Sequence, residues 1–144
     1  MRKLPDNIRQ GCRFWVGGFG FWIHVIAITE AEFKRKTQTL ASNIITFSEK
    51  IPRNRAHDII AHQLIRCSTS VGANYRAACR AKSTADMIAK LAMVEEETDE
   101  TMYGLELPIT QNIVNKADAQ KLLEETESIL KMIVSSIRTL KRKK

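Results

Sequence analysis

From residue 29 onward, apolar positions recur at alternating spacings of three and four, the period of helices that bury one side. Phe33, Leu40, Ile44, Phe47 and Ile51 form the first stripe and predict a helix over residues 30–50, closed by Pro52 and the polar Arg53-Asn54-Arg55. Ile60, Leu64, Cys67, Val71, Tyr75 and Ala78 form a second, predicting a helix over residues 56–81 with a joint at Lys82-Ser83. Met87, Leu91, Val94, Thr98, Thr101 and Leu105 line a third over residues 84–107, which Pro108 should stop. Leu122, Thr126, Ile129, Ile133, Ile137 and Leu140 line a fourth, from Asn115 to about residue 142. Start signals agree with these bounds: Thr29 to Glu32 reads as a capping box, and Ser83 precedes Asp86 by three. No strand-like alternation competes. Short joints make neighbours antiparallel, so the pattern predicts an all-α, up-down-up-down four-helix bundle.

The tract Ser68 to Lys82 adds a packing constraint. It carries Gly72 in mid-helix, a cost of about 1 kcal/mol relative to Ala, beside small residues at Ser70, Ala73, Ala77 and Ala81. Such a rail predicts close contact between helices. The assembly positions are therefore Arg66, Ser70, Gly72, Ala73, Asn74, Tyr75 and Ala77, with Glu95 and Asp99 on the next helix. If the second and third helices fold back at Ser83, positions whose numbers sum to roughly 165 lie side by side. Arg66 then approaches the run 95–100 (EEETDE), and a carboxylate from Glu95 or Asp99 is expected to pair with it.

Residues 1–28 break the pattern. Positions 14–28 (FWVGGFGFWIHVIAI) are apolar over 15 residues, short of the ~20 that span a bilayer. A secretory cleavage pattern is missing. Three readings stand: translation from a misplaced start, a membrane-associating leader, or a packing element. The bundle domain is expected to occupy residues 29–144.

Charge changes the picture only locally. The net charge is +7, of which residues 1–28 hold +3. Much of the remainder sits in Lys141-Arg142-Lys143-Lys144, so the body is nearly balanced. Cys12, Cys67 and Cys79 are an odd number without metal-type spacing, and reduced core or semi-buried thiols are expected. A di-iron bundle site needs Glu-x-x-His pairs, which His57 and His62 lack. No nucleophile-base arrangement or phosphate loop stands out in the helical region. The sequence predicts no enzyme activity, no cofactor and no small-molecule substrate. A basic footprint invites nucleic acid: Lys34-Arg35-Lys36, Arg76, Arg80, Lys82, Arg138, Lys141, Arg142, Lys143 and Lys144, with Tyr75 as a stacking surface.

Three blocks carry a resemblance: TEAEFKRKT (29–37), RCSTSVGANYRAACRAKS (66–83) and KLAMVEEETDETMYGLEL (90–107). With them the chain resembles the four helix bundle proteins encoded in intervening sequences of bacterial 23S ribosomal RNA genes. That resemblance implies an up-down bundle assembling as a homopentamer, and a cytoplasmic, non-catalytic scaffold. Similar proteins include the accessory protein of diversity-generating retroelements, which implies a reverse transcriptase and RNA or DNA as partners. Gly104 departs from a large aromatic in the family pattern, and residues 1–28 have no counterpart there.

Overall fold

In the computed structural model, residues 28–142 are described; the readings of positions 1–27, including Cys12, and of Lys143 and Lys144 lie outside them. Four helices follow one another: α1 (Glu30–Ser48), α2 (Arg55–Ala78), α3 (Thr84–Thr110) and α4 (Lys116–Arg142). Each packs on its sequence neighbour, and α1 also packs on α4, so the four close into a square without diagonal contacts. The pairs Phe33–Tyr75 and Thr37–Gly72 set α1 antiparallel to α2. Arg66–Glu97 and Leu64–Gly104 do the same for α2 and α3. Lys50 and Asp118, 3.1 Å apart, join the C-terminal end of α1 to the N-terminal end of α4.

The predicted stripes meet in the centre. All the first and third stripes are buried, as are the second and fourth except Ile60 and Leu140, which are half-buried. Burying one Leu or Ile side chain is worth about 1.5–3 kcal/mol, so these layers supply the main driving force. Thr98, Thr101 and Thr126 are also fully buried; each hydroxyl donates to the carbonyl four residues earlier in its own helix. That bond satisfies the hydroxyl within its own helix.

The starts follow the capping signals. Thr29 Oγ1 accepts from the Glu32 N–H while the Glu32 carboxylate accepts from the Thr29 N–H. The Thr29 N–H first, and then the Thr29 side chain, hold the Glu32 carboxyl below the usual carboxylate range. Asn54, Ser83 and Asn115 accept from the first turns of α2, α3 and α4.

The ends differ from the pattern. α1 stops at Ser48 and α2 at Ala78, three residues before Ala81. The α2 turn tightens to three-residue bonds, Arg80 N–H to Ala77 and Ala81 N–H to Ala78, because the chain must leave the axis to enter α3. Pro108 does not end α3, which runs on to Thr110. A proline near the last turn removes one bond only, and Pro108 is buried against the core. The real stop is Asn112 at φ 54°: the Asn112 N–H bonds the Ile109 carbonyl and the Ile113 N–H bonds that of Pro108, a Schellman motif.

Candidate interaction surfaces

The face where α2 lies beside α3 carries an ionic centre. Arg66 donates through Nη2 to Glu100 Oε2 at 2.5 Å and through Nη1 to Glu97 Oε1 at 3.5 Å. Gln63 Nε2 donates to the same Glu100 oxygen at 3.1 Å, and its own oxygen accepts from Arg66 Nε. Arg66 therefore has its carboxylate partners at the expected level, but they are not Glu95 or Asp99. With Val94, Thr98 and Thr101 turned inward, Glu97 and Glu100 fall on the α2 flank of α3. Glu95 and Asp99 fall on the α4 flank, a rotation of about 100° per residue that level alone does not reveal.

The small-residue rail is also redistributed. Gly72 faces α1, where an added Cβ would stand 3.3 Å from Thr37 Oγ1, rather than α3. Ala73 is exposed, Ser70, Asn74 and Ala77 are half-buried, and Ala81 is buried beyond the helix end. The seam between α2 and α3 uses a different glycine. At Gly104 a Cβ would stand 2.9 Å from the Leu64 side chain. Tyr75 is wholly buried against Phe33, with ring centroids 4.3 Å apart, and cannot stack on a base. Its position in the second stripe carried that signal.

Three large apolar side chains remain exposed on α2 and α3: Ile59 at 64%, Met93 at 50% and Tyr103 at 63%. Ile59 lies one turn before Gln63, and Met93 and Tyr103 bracket Glu97 and Glu100, so all three flank the ionic centre. None broke the three-four pattern, which marks inward residues and is silent about outward apolar ones.

Between α3 and α4 lies an open groove of about 450 Å³. Ala92, Leu130 and Val134 line it with Glu95, Glu96 and Asp99. These three carboxylates make no ion pair among the described residues.

The basic candidates gather elsewhere. Arg76, Arg80, Lys82, Arg138, Lys141 and Arg142 are all exposed and pair with no carboxylate among the described residues. Arg76 reaches the Gln38 side-chain oxygen at 3.4 Å. The antiparallel order brings the start of α1, the α2–α3 turn and the end of α4 to one end of the bundle, so these cations and Lys34-Arg35-Lys36 share a pole. Two of its charges are held internally: Lys34 by Glu30 and Lys90 by Asp86. Lys90 and the Lys82 N–H keep the Asp86 carboxyl below its ordinary range.

No group of three His, Cys, Asp or Glu residues that could hold a metal exists among the described residues. His57 serves the α2 start, its Nδ1 lying 2.8 Å from the Pro52 carbonyl oxygen. Cys67 is buried, and burial raises its thiol pKa. No described helix is long and apolar enough to cross a membrane.

Residues 29–135 match the model of the 23S rRNA-intervening sequence protein family. The chain belongs to this family. Its fold is similar to the crystal structure of a protein of unknown function from the S23 ribosomal protein family of Bacteroides thetaiotaomicron VPI-5482. The TM-score is 0.69 at 29% identity, over 76% of this chain and 97% of that one. No curated protein matches the chain.

Proposed function

We propose that this family member is a non-catalytic, self-assembling scaffold. The observation that carries the reading is the α2–α3 face, where Ile59, Met93, Tyr103 and Ala73 stand in solvent around Arg66 and its carboxylates. Aromatic, Met and Arg side chains are enriched in protein interfaces, and clustered exposed apolar groups mark contact sites. A homopentamer in the cytoplasm is the state that the family resemblance suggests. Light scattering on the full chain tests the reading: the mass is expected at several times 16.4 kDa. A single-chain mass at every concentration up to the millimolar range would reject it.

A second reading is favoured by the shared cationic pole: the assembly holds RNA or DNA there, alone or with a protein partner such as a reverse transcriptase. Copies arranged around an axis multiply a weak patch, so affinity emerges with assembly. Binding to a labelled RNA across a salt series is expected to weaken steeply from 50 to 200 mM salt. Binding that is absent at low salt, or flat across the series, removes this reading.

A further inference from the structure

The α3–α4 groove and the outward rail of α2 are complementary, and neither meets an opposite charge among the described residues. The groove offers an apolar floor from Leu130 and Val134 under three carboxylates that no described cation reaches. The end of α2 and the turn beyond it offer exposed Ala73 and half-buried Ala77, with Arg76 and Arg80 beside them and no ion pair to a described acid. Glu95 and Asp99 stand one helical turn apart, about 6 Å along the axis, while Arg76 lies on the last turn of α2 and Arg80 on the tightened turn just beyond it. Small side chains on the rail let a helix backbone sink to the groove floor while the guanidinium groups reach the carboxylates on its edge.

We infer that the α3–α4 groove of one copy receives residues 73–80, the end of α2 and the turn beyond it, from the next copy. This rests on the self-assembly reading and names the two faces that meet. The faces are different patches of one surface, so the contact is head-to-tail: it closes a ring when its rotation permits and otherwise extends a chain. It also removes Arg76 and Arg80 from the cationic pole, leaving Lys82, Arg138 and the end of α4 available to other ligands.

Charge exchange on the full chain tests it. The double variants Glu95→Arg/Asp99→Arg and Arg76→Glu/Arg80→Glu are each expected to fall to single-chain mass in light scattering. Mixing the two is expected to restore pairing, because the reversed groove of one then accepts the reversed rail of the other. The neutral pair Glu95→Gln/Asp99→Asn, with helix content checked by circular dichroism, guards against misfolding and is expected to weaken assembly roughly tenfold. A wild type that assembles while all three variants keep its mass overturns this pairing and spares the scaffold reading. Dissociation of both reversals without recovery on mixing also overturns it. A monomeric wild type removes both proposals.

Discussion

Gly104 of α3 lies directly against Leu64 of α2, so near that a Cβ on it would stand 2.9 Å from Leu64 Cδ2 and 3.2 Å from Cγ. Both residues are buried. The Leu64 side chain therefore occupies the space that a side chain at position 104 would need. Gly104→Ala gains about 1 kcal/mol in helix propensity and loses about 1–3 kcal/mol to overpacking. Urea denaturation should show it no more stable than wild type, and destabilised by up to about 2 kcal/mol. At Gly72 the nearest atom is a hydroxyl at 3.3 Å, so Gly72→Ala should be the more stable of the two variants. The reverse ranking would contradict this packing.

Arg66 holds two carboxylates but half of its side chain meets solvent. Exposed ion pairs contribute about 0–1 kcal/mol. Arg66→Ala should lower the unfolding free energy of the chain by no more than about 1 kcal/mol, and less in 1 M NaCl. A loss above ~2 kcal/mol would mean that the cluster is buried by something beyond one copy.

Asp86 provides a pH signature. Its carboxyl is held below the ordinary range first by the Lys90 side chain and then by the Lys82 N–H. A depressed folded value stabilises the fold above the unfolded pKa of about 3.9. That contribution disappears as pH falls through the folded value. Asp86→Asn should therefore be less stable than wild type at pH 7, with the difference shrinking to nothing near pH 2. Thermal melts from pH 7 to 2 report it; a gap that widens toward acid would refute the assignment.

Cys67 is wholly buried and its thiol is pushed above its ordinary value by burial. Thiolate is the reactive form, so the native protein should resist modification at pH 8. In a Cys12→Ser/Cys79→Ser background, labelling by a disulfide reagent should be at least about a hundredfold slower than in urea, limited by opening of the bundle. Equal rates would place Cys67 on the surface.

Much was legible before any coordinates. The stripes name nearly every buried apolar residue because a 3.6-residue period and a single core leave little choice about which side turns inward. Thr29, Ser83 and Asn115 mark helix starts because a short polar side chain satisfies N–H groups that have no other acceptor. The 165-sum register also emerges, since Arg66 meets Glu97 and Glu100, because an antiparallel hairpin has one free length once its turn is located.

Flank and closeness were not legible. Whether Glu97 or Glu95 meets Arg66 depends on which flank of α3 the neighbouring α2 occupies, and with Val94, Thr98 and Thr101 turned inward that flank carries Glu97 and Glu100. Tyr75 reads both as an inward stripe position and, beside Arg76, as a stacking surface; Phe33 of α1 covers it and only the first reading holds. The amino-acid order by itself determined four amphipathic helices, their starts and their inward residues, because these follow from local hydrogen bonds and one periodicity. Only the tertiary structure decided that Gly72 serves α1, that Ala73 faces solvent, and that the cations share one end. Those outcomes depend on contacts between residues far apart in the chain, where packing leaves no periodic trace.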